Sequence, residues 1–179
     1  MNYYVIQVKT GKEGDFLSNA RELLPRADCD LFWLRRSLAI KKQGKLKEVL
    51  APVFPGYLIL ETETVTPLLF RNLKALTGFS RFLKSNLEIT PIFGKDLELV
   101  MHFIRHGEVM EKSQVVFSKD QKIKILAGPL KGLEGMIVKV DKRKKRIKVR
   151  LALYDNAFLI DFGFETAVPT AAATGAEQD

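Results

Sequence analysis

Arg146-Ile147-Lys148-Val149-Arg150-Leu151-Ala152-Leu153 alternates apolar residues with polar or small ones at a period of two. Only an extended strand sorts such a pattern cleanly: Ile147, Val149, Leu151 and Leu153 fall on one face, and Arg146, Lys148 and Arg150 on the other. The run Met136–Val140 just before it offers a partner strand, with Met136, Val138 and Val140 expected to pack on the apolar set. Between the two lies Lys142-Arg143-Lys144-Lys145, so seven of the nine residues 142–150 are cationic.

Further short β runs, Ile123–Leu126 and Phe158–Phe162, surround this hairpin, separated by turns rich in Gly, Pro, Asp and Asn. Residues 118–168 are therefore expected to form a small β-barrel, which at that size presents a surface and encloses no deep pocket. The first 105 residues mix two periods. Tyr3–Val8 and Tyr57–Leu60 are strands, and Leu31–Ile40 with Leu46–Leu50 flank a Lys41–Gly44 turn as a hairpin. Phe16, Leu17, Ala20, Leu23 and Leu24 mark a helix stopped by Pro25. Pro67–Leu76 reads as a second helix, Phe79–Leu83 as a short run after Gly78, and Leu97, Val100, Met101 and Ile104 as a third helix after Pro91. Residues 106–117 lose periodicity and read as a linker, and 169–179 as a disordered tail. The chain is α+β.

Charge narrows the partners. Residues 118–168 carry 12 basic and 6 acidic side chains, against 16 and 11 in the twice longer residues 1–105, which points to a polyanion met by the barrel. One cysteine, Cys29, excludes an internal disulfide. No run approaches the roughly 18 apolar residues of a membrane span. The opening strand shows no cationic leader, so a cytoplasmic monomer without membrane contact is expected.

No catalytic constellation emerges, and neither a cofactor nor a metal is called for. His102 and His106 share a helix face, but no further ligand completes a set, and a solvated pair near a helix end is the simpler reading. Cys29 lies between Asp28 and Asp30, where a thiolate is disfavoured. Gly128, Gly132 and Gly135 lack the Lys-Ser/Thr ending of a phosphate loop and suit tight turns.

The candidate RNA-binding residues are Lys142, Arg143, Lys144, Lys145, Arg146, Lys148 and Arg150. No acid interrupts them, although a charged turn that only keeps an edge soluble is the plainer alternative. If about five meet phosphate, log K should fall with log salt at a slope of about −3.5 to −4.5. Arginine can grip phosphate or guanine bidentately, so Arg143, Arg146 and Arg150 are the candidates for specificity.

Tyr4-Val5-Ile6-Gln7-Val8-Lys9-Thr10-Gly11-Lys12-Glu13, then Phe54-Pro55-Gly56-Tyr57 and Gly78-Phe79, resemble the amino-terminal domain of NusG-type transcription elongation factors. Ile125-Leu126-Ala127-Gly128-Pro129-Leu130-Lys131-Gly132-Leu133-Glu134-Gly135, with Val138–Asp141, is similar to the KOW module that follows it in that family. The resemblance spans residues 3–168. It implies an NGN-type α/β sandwich with a mostly antiparallel sheet over residues 1–105 and a five-stranded SH3-like KOW β-barrel over 118–168. It also implies that an apolar patch, here Phe54, Tyr57, Ile59 and Phe82, binds the clamp helices of the largest RNA polymerase subunit. Lys9 matches a position facing non-template DNA, with Lys12 and Arg21 nearby. Leu153 and Tyr154 match the site by which general members meet ribosomal protein or Rho. Alternation gives Tyr57–Leu60 two apolar faces, one for a core and one for something else, although plain core residues are the simpler alternative for the whole patch.

The departures matter as well. The gate-loop threonines of RfaH-type relatives are not found, since Thr62, Thr64 and Thr66 come too early, and the third helix starts at Phe93-Gly94-Lys95 without a Ser or Asp cap. The basic hairpin and Arg35-Arg36 after Trp33 most resemble specialised paralogues of the LoaP kind, antiterminators whose KOW module reads a leader RNA hairpin. A general factor coupled to ribosome or Rho, and a ribosome-associated KOW protein, stay open as alternatives.

Overall fold

Strand β1, Asn2–Val8, is apolar on both sides and so needs two covers. It is one of the two inner strands of an antiparallel four-stranded sheet, with β5 (Tyr57–Thr62) and β6 (Phe79–Phe82) beside it and β2 (Cys29–Phe32) beyond β5. Tyr4 pairs with Leu60, and Ile6 with both Leu58 and Phe82, so these five share one face. Helices α1 (Glu13–Leu23) and α2 (Pro67–Ala75) close that face with Phe16, Leu17, Ala20 and Leu73. Thr66 caps α2 by accepting from Leu69 N–H at 3.2 Å, with Pro67 at the first helical position. Val5 and Ile59 pair on the opposite face and meet Leu99, Val100 and Phe103 of α3 (Gly94–Ile104). The computed structural model describes residues 1–24 and 29–167, so Pro25, Asp28 and the expected tail, 169–179, lie outside the described residues.

The run Leu31–Ile40 is two strands. β2 pairs with β5, the chain turns at Trp33-Leu34, and β3 (Arg35–Lys42) forms a hairpin with β4 (Lys45–Pro52) in a separate sheet. Gln43 and Gly44 both take positive φ, 50° and 78°, as a two-residue hairpin turn requires.

The segment read as a linker is structured. β7 (Val109–Met110) pairs in parallel with β3, and β8 (Ser113–Phe117) is a strand of the barrel. The five-stranded sheet runs β10-β11-β12-β8-β9, where β9 is Ile123–Ala127, β10 Ile137–Asp141, β11 Arg146–Leu153 and β12 Asn156–Thr166. β8 pairs with β12 only at Phe164–Thr166, which leaves the upstream edge of β12 open. The N-terminal domain covers that edge, with Arg36 Nε donating to the Asp161 carbonyl. Ile147, Val149, Leu151 and Leu153 are fully buried, as their alternation requires. The expected partners differ: the register slips between Ile137 and Lys139, so Ile137 and Val140 turn inward while Val138 is 51% and Met136 38% exposed. None of the described helices is long and apolar enough to cross a membrane.

Candidate nucleic-acid and docking surfaces

The cationic hairpin divides into a braced part and an unbraced part. Cross-strand pairing sets Lys148 opposite Asp161, whose carboxylate lies 3.6 Å from Lys148 and 3.9 Å from Arg146. Arg146 also donates from Nη2 to the Ala39 carbonyl, 3.0 Å away on β3. These two cations of the expected stripe share one acid that lies outside the run, 13 residues beyond Lys148 and 15 beyond Arg146. Lys142 lies over the Phe117 ring, 4.3 Å from its centroid, and bonds Gln121. Arg143, Lys144 and Lys145 are exposed and form no ion pair among the described residues, and Arg150 is exposed as well. The nearest acid, Asp141, is occupied by the Lys144 backbone N–H at 2.9 Å, a bond that holds its carboxyl below the usual range.

The apolar set is also divided. Phe54, Tyr57 and Ile59 lie together on the α3 side of the sheet, whereas Phe82 is wholly buried on the helix side with Phe70 and Phe79. The barrel covers the first group. Phe158 packs edge-on against Phe54 and Tyr57, each at 5.6 Å, and Phe162 stacks on Phe103 at 5.8 Å. Phe54 and Ile59 are each 2% exposed beneath α3 and the barrel together. His102 Nε2 is 2.7 Å from the Pro129 carbonyl, which requires it to donate its proton there, and the Tyr154 N–H reaches Asp96 Oδ1 at 3.3 Å. Leu153 is buried in the barrel, and Tyr154 is half-buried against α3.

Of the residues placed near DNA, Lys9 is exposed and Lys12 is exposed beside Asp15 at 2.9 Å. Arg21 is committed elsewhere: Nη2 donates to the Leu31 carbonyl at 2.7 Å and to Glu108 at 2.6 Å, which ties α1 to β2 and the chain before β7. The Arg35-Arg36 pair is structural too. Arg35 lies 4.6 Å from the Trp33 ring centre, and Arg36 is buried between the Pro52 and Asp161 carbonyls, where loss of solvent draws its guanidinium down to about 10.

One important residue escaped the sequence reading. Glu13, 2% exposed, accepts from Gly11 N–H at 2.7 Å and from Gly56 N–H at 2.8 Å. It fastens the turn after β1 to the turn that presents Phe54 and Tyr57. Gly56 has φ +80°, and a Cβ there would stand 2.8 Å from Thr10 Oγ1, so only glycine fits. A carboxylate at the start of a helix next to a Thr-Gly turn was the signal that could have revealed it.

His102 and His106 are in ring contact at 5.3 Å, and no group of three or more potential metal ligands occurs among the described residues. Cys29 is buried. Gly128 and Gly132 lie in the hydrogen-bonded turns after β9.

A family model described as "Transcription termination factor nusG" matches residues 1–101, and one described as "KOW motif" matches residues 119–150. The transcription termination/antitermination protein NusG of Bacillus subtilis (strain 168) is 30% identical over 129 residues, 71% of this chain and 67% of that protein. Its namesake in Halalkalibacterium halodurans is 23% identical over 172 residues, covering 91% and 95%. Among solved structures, one described as "Domain interaction in Thermotoga maritima NusG" superposes with a TM-score of 0.54 at 15% identity, covering 90% of this chain and 93% of that one. At that identity the likeness bears on the fold alone.

Proposed function

The chain belongs to the NusG family of transcription termination and antitermination factors, and from that premise we propose that it is a specialised antiterminator of the LoaP kind, recruited by RNA through its barrel. The observation that carries this reading is the unpaired tip Arg143-Lys144-Lys145. On the same hairpin Arg146 and Lys148 share the single carboxylate of Asp161, which braces both and offsets one of their two charges. At the tip the one nearby carboxylate, Asp141, is engaged by the Lys144 backbone N–H and stands as one charge against three, so repulsion persists until a polyanion relieves it. Three unpaired cations on phosphate correspond to a log–log salt slope of about −2 to −3, smaller than seven cations would give.

The N-terminal domain docks on RNA polymerase through Phe54, Tyr57 and Ile59, and Phe82 supports that surface from the other side of the sheet. Docking then requires Phe158 to leave Phe54 and Tyr57. Polymerase contributes differential affinity for the open arrangement, and the factor in turn shifts polymerase away from paused states; no covalent chemistry is involved. Lys9, with Lys12 beside it, is the residue free to approach non-template DNA. The names of the curated relatives favour a general NusG role as the second reading, with Leu153 and Tyr154 meeting ribosomal protein or Rho.

The test is run-through transcription past a terminator, on templates with and without the native leader, using full-length protein. Charge reversal at Arg143, Lys144 and Lys145 should abolish the leader-dependent part and leave leader-independent elongation intact. Unchanged leader-dependent readthrough would overturn the specialised reading and leave the general one.

A further inference from the structure

The cationic tip does not face open solvent alone. It forms one wall of a cleft of about 780 Å³ whose other wall is the β3–β4 hairpin of the N-terminal domain. Arg143, Lys144, Lys145 and Arg146 line the barrel side, and Lys41 and Lys47 the hairpin side. Two acids, Glu48 and Glu165, lie between the walls, and Lys112 occupies both: it bonds Glu48 and stands 3.6 Å from Glu165. Ser37 Oγ donates to Glu48 as well, at 3.1 Å. The lining sets seven Lys and Arg side chains against these two carboxylates, so the cleft stays strongly cationic.

The chain holds the walls together closely. Arg146 bonds the Ala39 carbonyl across the seam. A Cβ at Gly163 would lie 3.1 Å from the Ser37 carbonyl oxygen and 2.9 Å from Lys112 Cγ, so the barrel strand meets the hairpin at a distance that a side chain would not allow. Like charges brought together by so close a fit call for a counter-charge between them. The cleft is open, and its cations are mostly flexible lysines on exposed strand ends, with no convergent buried donors of the kind that select a small anion. An extended phosphodiester backbone suits it.

We propose that, in the closed protein before it docks on polymerase, the β3–β4 hairpin and the barrel tip form one composite RNA site gripped by both domains, and that opening for polymerase hands the RNA to the barrel tip alone. This rests on the reading of the barrel tip as RNA-binding and extends it to Lys41 and Lys47.

The experiment is fluorescence anisotropy of full-length protein with a labelled RNA hairpin bearing single-stranded flanks, and with its DNA counterpart, between about 50 and 200 mM salt. The substitutions Lys41→Glu and Lys47→Glu together should weaken RNA binding and reduce the log–log salt slope by about 1.5 to 2, the loss of two phosphate contacts. Lys42→Glu with Lys45→Glu alters the same hairpin by the same charge outside the cleft lining and should change the slope by less than half as much. Neutral Lys41→Gln with Lys47→Gln should give the same direction at smaller size, a check if the reversed pair misfolds by circular dichroism. If both hairpin pairs act alike, a general field and no cleft is at work, and the inference falls. If the Arg143, Lys144 and Lys145 reversals abolish binding while Lys41 and Lys47 do nothing, the site is confined to the barrel; the inference falls and the reading of the tip stands. If neither wall matters, both fall. Equal response of DNA and RNA supports a backbone clamp with its selectivity elsewhere; a DNA-only response overturns it.

Discussion

The two faces of the N-terminal sheet are both apolar, yet their covers differ in origin. Tyr4, Ile6, Leu58, Leu60 and Phe82 lie beneath α1 and α2, which are interleaved with the strands they cover. Val5, Ile59, Phe54 and Tyr57 lie beneath α3 and the barrel's Phe158 and Phe162, a hundred residues further along. Burial per unit area favours both to the same degree. The difference is in what each cover must give up to leave. Losing the helices means unfolding the domain, whereas losing the barrel means parting one seam of rings and a few bonds, with Glu111 and Lys112, between β7 and β8, as tether. A face covered that way can serve a partner in turn.

The largest expected effect is on the helix side. Phe82→Ala should lower the stability of the N-terminal domain by about 3–5 kcal/mol, since a fully buried ring is removed from a packed core. Phe158→Ala removes two aromatic pairs of about 0.5–1.5 kcal/mol each plus their burial, and should separate the domains while the secondary structure of each persists. Urea unfolding followed by circular dichroism reads the first, and small-angle scattering the second. If Phe158→Ala lowers one common unfolding transition as Phe82→Ala does and the protein stays compact until then, the barrel is a permanent part of the core and the contrast fails.

A middle-sized effect sharpens the contrast within the apolar patch itself. Glu13→Ala leaves the Gly11 and Gly56 amides without their acceptor and should cost about 1–3 kcal/mol. The loss should appear in the N-terminal domain and should also loosen Phe54 and Tyr57, so that amide exchange at Gly56 and Tyr57 accelerates. Exchange unchanged at both would mean that Glu13 does not hold the patch in shape.

How much of this was legible beforehand follows the range of the interactions. Local periodicity marked β1, β5, all three helices and the inward face of β11, because those patterns are decided by neighbours in sequence. The Phe54-Pro55-Gly56-Tyr57 turn was legible for the same reason. Long-range pairing was not. Residues 106–117 looked featureless because β7 forms only by pairing with β3, far back in the chain, and β8 is held between β9 and the distant β12. The slip near Val138 is a register event that alternation alone cannot locate. Phe82 looked like a surface partner of Phe54 until the irregularity at Gln7/Val8 and its pairing with Ile6 put it on the other face. Asp161 was missed as the acid that braces Arg146 and Lys148 because cross-strand neighbours are distant in sequence.

The smallest expected effect reports on the seam directly. Tyr154, in the left-handed turn between β11 and β12, has its hydroxyl buried without a hydrogen-bond partner, and burial together with nearby Asp96 pushes it up to about 12. Tyr3 is also pushed up to about 12, by burial and by its bond to Glu61, two causes that lie within the N-terminal domain. Absorbance titration at alkaline pH should therefore show one fewer late tyrosine in Phe158→Ala than in the closed protein, because of these two only Tyr154 owes its shift to the other domain. The sign follows from which state binds the proton more tightly. Closure keeps Tyr154 neutral, so its contribution is whole below about pH 10, the ordinary phenol value, and drains away as pH rises toward 12. If Tyr154 still titrates late when scattering shows the domains apart, its environment belongs to the barrel alone, and the hydroxyl says nothing about which face of the sheet is on loan.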